Sequence, residues 1–194
     1  MGIIQANSNG RIDYRPVFER FSDELYKIKQ TLTLTCAGGF VMQINGYRGT
    51  ADVDAFYKSS AEIEAIIRTV GEEFNLNKPD ELWLNNSLSS LNPEPPDEYC
   101  EVIYDLPNLL VKVVNAYYFI GMKLISGREQ DVIDVGAVLK HDKNECPIEL
   151  FLKLKAMRFD IDISVLLDAY EKAHGMDWLD NYYTKNQNEL YRYF

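Results

Sequence analysis

The chain has few of the residues that would announce a chemistry. Its three cysteines, Cys36, Cys100 and Cys146, form no C-x-x-C pair and cannot frame a disulfide scaffold, so a cytoplasmic, reducing setting is expected. Only two histidines occur, His141 and His174, and they lack H-E-x-x-H or Cys–His spacing, which leaves no zinc motif. Basic charge is in deficit: 20 Lys and Arg stand against 30 Asp and Glu, for a net charge of −10. Such a surface repels polyanions and argues against an extensive nucleic-acid surface, although a local basic pocket can hold one nucleotide or an RNA end. Long apolar runs are missing too. The longest, residues 117–125, is interrupted by Lys123 and is far too short to span a bilayer. The start, Met1-Gly-Ile-Ile-Gln5, lacks the positive n-region of a signal peptide, and Ala6 breaks a myristoylation pattern. No membrane association is expected. Walker loops, nucleophile elbows, dinucleotide fingerprints and internal repeats are likewise absent.

What is present suits a globular protein of 194 residues, 46% apolar and 26% charged. Apolar residues at three- and four-residue steps predict a first helix over 11–30, with Tyr14, Val17, Phe18, Phe21, Leu25 and Ile28 as its stripe. A strand over 31–35, a short helix over 40–44 and a strand over 51–57 follow. Ser60 then caps a helix over 61–74. Residues 75–80 read as a loop, 81–85 as a short strand and 86–90 as a helical turn. Asn92-Pro-Glu-Pro-Pro-Asp97 breaks any regular structure and reads as a mobile loop or linker. Strands over 99–104 and 109–114 flank a turn, and after them only helices are expected, over 116–126, 129–141, 147–158, 164–173 and 175–194. The pattern is α+β: an α/β part over 1–114 and a helical region over 115–194. The aromatics of the last helix, Trp178, Tyr182, Tyr183, Tyr191, Tyr193 and Phe194, are read as core packing rather than a base-stacking surface.

The most informative stretch runs from Cys36-Ala-Gly-Gly-Phe40 to Arg48-Gly-Thr-Ala-Asp-Val-Asp-Ala-Phe56. A strand that delivers Gly38 and Gly39 to a helix puts bare backbone N–H groups where a phosphate can sit. Asp52 and Asp54 fall on one face of the next strand, roughly 7 Å apart along it. Two carboxylates beside an anion-holding turn outline a metal–phosphate site, because Mg²⁺ takes carboxylate and phosphate oxygens.

Gly38-Gly39 followed by Arg48-x-Thr50-x-Asp52-x-Asp54 resembles the signature of the nucleotidyltransferase superfamily that includes DNA polymerase beta. Within it the match is to bacterial nucleotidyltransferase-like proteins related to abortive-infection and toxin–antitoxin nucleotidyltransferases. The later run from Tyr118 through Lys123, Arg128 and Asp131 to Asp134 resembles those proteins again. The resemblance implies a small mixed β-sheet flanked by helices, and transfer of a nucleotidyl group from an NTP to a hydroxyl on RNA, protein or a small molecule. It implies Mg²⁺ on Asp52 and Asp54, triphosphate at Gly38 and Gly39, and Arg48 and Thr50 orienting the acids or touching phosphate. Lys123 would pair with a phosphate, unless it is a solvated helix lysine. Arg128 and Asp131 are expected to tie two helices together.

The superfamily's third carboxylate has no obvious bearer. Glu101 is the candidate metal ligand, with Asp105 beside it on the same expected strand face, while the other possible strand ends in Asn85-Asn86, an amide. Three functions therefore stay open. One is a working nucleotidyltransferase with an unknown acceptor. Another is a catalytically degenerate relative that binds a protein partner or regulates. The third is an aminoglycoside-type enzyme, compatible with the acidic charge.

Overall fold

The structure, a computed structural model, describes residues 11–90, 93–141 and 146–194. It is an α+β protein with one mixed five-stranded sheet and, among the described residues, eight α-helices. The chain divides into two compact units, residues 1–115 and 116–194.

The first unit holds the sheet. Helix α1 (Arg15–Lys27) leads into β1 (Leu32–Ala37), α2 (Gly38–Ile44), β2 (Val53–Phe56), α3 (Ala61–Glu73), β3 (Leu84–Asn85), β4 (Cys100–Leu106) and β5 (Leu109–Val114). The order across the sheet is β3-β2-β1-β5-β4. β1 runs antiparallel to β2 and parallel to β5, β2 and β3 are parallel, and β4 and β5 form an antiparallel hairpin. Lateral register sorts the side chains by face. Cys36 of β1 aligns with Ala55 of β2, and Leu34 and Cys36 align with Val111 and Val113 of β5; all of these, and Val53 two residues before Ala55, are buried. This is the apolar face. Phe18, Phe21 and Leu25 of α1 and Ile63, Ile67 and Val70 of α3 complete that core, with Trp83 fully enclosed. Rings of Tyr14, Phe18, Phe40 and Trp83 meet at centroid separations of 5.4–6.2 Å.

The other face carries Thr35, Ala37, Asp54 and Lys112. Residues 93–99 lie over it rather than linking two domains. Thr35 Oγ1 donates to Glu94 at 3.2 Å, Lys112 Nζ to Asp97 at 2.8 Å, and Pro95 is buried. The prolines stop regular structure, but flanking carboxylates anchor the segment.

Several boundaries differ from the sequence expectation for local reasons. The first helix starts at Arg15, because Pro16 sits in its first turn and the Ile12 backbone is held by the Gln43 amide. Helix α2 begins on Gly38 itself, with φ of +59°, so no gap separates strand from helix. The strand expected over 81–85 shrinks to two residues. Lys78 and Glu81 exchange backbone hydrogen bonds across a turn, and Asn77 Oδ1 accepts the Trp83 N–H.

The second unit is helical: α4 (Ala116–Ser126), α5 (Glu129–His141), α6 (Pro147–Ala156), α7 (Ile163–His174) and α8 (Met176–Leu190). Trp178 stacks between Tyr170 and Tyr182 at 5.4 Å on each side, so these aromatics join α7 to α8. Tyr191 and Phe194 are exposed. Among the described residues no helix is long and apolar enough to cross a membrane.

Gly71 of α3 is where the loop after that helix locks down. A methyl there would stand 2.0 Å from Asn77 Oδ1 and 2.5 Å from Trp83 Cδ1. Gly71→Ala is expected to lower stability by about 1–3 kcal/mol through overpacking, read as a lowered urea midpoint.

Candidate functional site

The site is built where the β1–α2 turn meets β2. Asp54 lies opposite Ala37 of β1, so the glycines that follow Ala37 pass directly beside it. A methyl on Gly38 would stand 2.6 Å from Asp54 Oδ2, and one on Gly39 would stand 2.6 Å from Thr50 Oγ1. A side chain at either position would push Asp54 or Thr50 aside, and Gly38 also needs its left-handed backbone. Thr50 Oγ1 donates to Asp52 Oδ1 at 2.7 Å. Each carboxylate thus belongs to one glycine, Asp54 directly and Asp52 through Thr50.

Buried Val53 faces the core, which leaves Asp54 on the other side of the strand, while Asp52 stands just before β2; both are half-buried. The loop that carries Thr50 is held from beneath. Gln43 Oε1 accepts the Thr50 N–H at 3.0 Å, and its Nε2 donates to the Ile12 carbonyl at 2.9 Å. The Tyr14 hydroxyl donates to the Thr50 carbonyl at 3.4 Å. Burial first, and then the Asp52 charge, push that phenol well above its ordinary range. Arg48 Nη1 donates to the Gly49 carbonyl at 3.2 Å and lies on the Gly39 side of the turn. Gly38, Gly39, Arg48, Thr50, Asp52 and Asp54 are therefore one cluster.

Two neighbours of the cluster had no signal in the sequence. Lys78 Nζ approaches Asp52 Oδ2 at 3.9 Å and donates to Glu81 at 2.7 Å. Glu81, followed by the charges of Asp52 and Asp54, holds its ammonium above the usual range. Gln43 is the other: an amide inside a short helix reads as surface until the 11–14 segment and the 48–50 loop close on it.

Glu101 is not part of this cluster. It aligns with Val113, which aligns with Cys36, placing it on the apolar side and three strands from β2, about 14 Å across the sheet. The expectation that Glu101 and Asp105 share a face also fails. A register shift between Val102 and Tyr104 turns Asp105 to the opposite side, beside Leu110. The strand position next to Asp54 belongs to Asn85, whose Oδ1 accepts from the Ser87 N–H and hydroxyl at 3.1 and 2.6 Å. Among the described residues no three His, Cys, Asp or Glu side chains are grouped to hold a metal ion.

Lys123 belongs to the helical unit. Its ammonium, nearly buried, donates to Asp131 at 2.5 Å and to Asp134 at 3.0 Å, tying α4 to α5. It is not a solvated lysine. Arg128 contacts Asp131 at 2.7 Å at the start of α5, and Asp131 is bonded in turn to Lys123 of α4.

The donor set at Asp52 and Asp54 is oxygen only, without histidine or thiolate, which suits a hard cation such as Mg²⁺ that fills its remaining positions with water or phosphate. Comparison of the chain with known protein families, with curated proteins and with solved structures gave no match.

Burial raises the Asp131 carboxyl, but hydrogen bonds from Arg128 and Lys123 outweigh it and hold the group below its usual range. Its contribution to stability is full above the unfolded value of about 3.9 and drains away as pH falls through the lower folded value. Asp131→Asn is expected to cost about 3 kcal/mol near neutral pH and to flatten this part of the acid-denaturation profile.

Proposed function

We propose that the protein is a Mg²⁺-dependent nucleotidyltransferase that moves a nucleoside monophosphate from an NTP to an acceptor hydroxyl. The observation that carries this is the pairing of two half-buried carboxylates with two glycines on which any side chain would press against Asp54 or Thr50. Two like charges this near in the chain are costly for folding alone, and glycines at a strand–helix turn can present main-chain N–H groups to a phosphate.

In this reading Asp52 and Asp54 hold the cation. Thr50 fixes the Asp52 carboxylate by its hydrogen bond, and Tyr14 and Gln43 fix Thr50. Gly38 and Gly39 offer main-chain donors to the triphosphate, and Arg48 adds positive charge on the same side. Bound Mg²⁺ would neutralise the phosphate oxygens as negative charge shifts toward the departing pyrophosphate. The acceptor is a hydroxyl of RNA, protein or a small molecule, and a toxin–antitoxin role fits a transferase of this type.

One observation favours a second reading. Beside Asp54, where a third carboxylate would complete the charge, Asn85 stands with its oxygen committed to Ser87. An amide there leaves the site one negative charge short for two-metal chemistry. A protein of this kind would bind nucleotide and act through a partner without transferring anything.

Thermal unfolding with Mg²⁺ and each of ATP, GTP, CTP and UTP tests both. A Tm rise of a few degrees with at least one NTP is expected, and its loss in Asp52→Asn/Asp54→Asn, with circular dichroism unchanged. Pyrophosphate release marks a transferase, and binding without release marks the second reading. No shift with any NTP would count against both.

A further inference from the structure

Lys78 stands on the loop between α3 and β3, and that loop is pinned at both ends. Asn77 Nδ2 donates to the Arg68 carbonyl at 2.9 Å, and Asn77 Oδ1 accepts the Trp83 N–H at 3.2 Å. Trp83 in turn gives its carbonyl to the Val53 N–H at 2.7 Å, between the two acids in sequence. Lys78 and Glu81 close the turn with reciprocal backbone bonds. The backbone of Lys78 is thus fixed against β2, while half of its side chain remains exposed and able to turn. Its ammonium divides itself between Glu81 at 2.7 Å and Asp52 Oδ2 at 3.9 Å.

The geometry points to Lys78 as a built-in counter-ion of the acid pair, competing with a divalent cation for Asp52 and turning to the triphosphate once displaced. This rests on the nucleotidyltransferase reading. An ammonium and a divalent cation repel, so both cannot stay against one carboxylate oxygen. Glu81 is the tether that keeps the displaced ammonium within reach of the site. The side chain is exposed, as a lysine meeting phosphate as a point charge must be.

The two roles have opposite signs, which a merely structural lysine would not show. Lys78→Ala is expected to bind Mn²⁺ alone about 3–10-fold more tightly than the wild type, and an NTP with Mg²⁺ about 3–10-fold more weakly. Lys78→Arg, which keeps the charge, is expected to stay near wild type in both. Mn²⁺ titration by calorimetry or electron paramagnetic resonance reads the first, and calorimetry with each Mg-NTP reads the second. A wild type that binds both, with Lys78→Ala binding Mn²⁺ no more tightly or NTP no more weakly, overturns the role of Lys78 alone. A wild type that binds neither Mn²⁺ nor any NTP overturns the nucleotidyltransferase reading and this role with it.

Discussion

The close passage of the β1–α2 turn over the acids of β2 is the constraint on which the rest of the first unit depends. A methyl on Gly38 would displace Asp54 Oδ2, and one on Gly39 would displace the hydroxyl that holds Asp52. With the turn so tight, α2 begins at once and carries Phe40, Val41 and Met42 into the core while Gln43 reaches the loop before β2. The same few residues therefore bury apolar surface and set the carboxylates. Separating those two tasks would require a different turn.

The sheet explains why the acids lie on the side they do. Its apolar face is covered by α1 and α3, and a carboxylate beneath those helices would need a buried partner, whereas Glu101, on the edge strand, is exposed. Asp54 falls on the opposite face by simple alternation, in company with Thr35 and Lys112. Polar groups on that side are matched locally, Glu94 over Thr35 and Asp97 over Lys112, and Lys78 stands beside Asp52 just before β2. The helical unit solves a related problem differently. Lys123, Asp131 and Asp134 are buried together, where one unmatched member would be far more costly than an exposed ion pair.

Charge also separates the two functional readings. Asp52 and Asp54 bring two negative charges, and the neighbouring strand contributes the neutral Asn85. Lys78 then shifts the balance further toward neutrality. A site of low net negative charge suits one cation delivered together with its triphosphate better than two bare cations held by protein alone.

Most element types were legible in the sequence because they rest on local periodicity and on punctuation by Gly, Pro and Ser. Helices α4 and α5 coincide with their expected spans, and the glycine–acid cluster was readable because its members lie within seventeen residues of one another, Gly38 to Asp54. Glu101 was misjudged because strand order, which local pattern does not carry, puts β4 at the far edge of the sheet. Asp105 was paired with it because alternation cannot foresee a bulge: one extra residue near Ile103 turns every later side chain over. Lys78, Gln43 and the Lys123 ion cluster depend on which elements pack together, and that is a long-range matter. The sequence by itself determined that two acids and two glycines share one strand–turn–helix–strand unit, since short chain connections leave them no other arrangement. Only tertiary structure decided which lysine meets Asp52 and that an amide flanks Asp54, because strand order and register bring those partners in from distant parts of the chain.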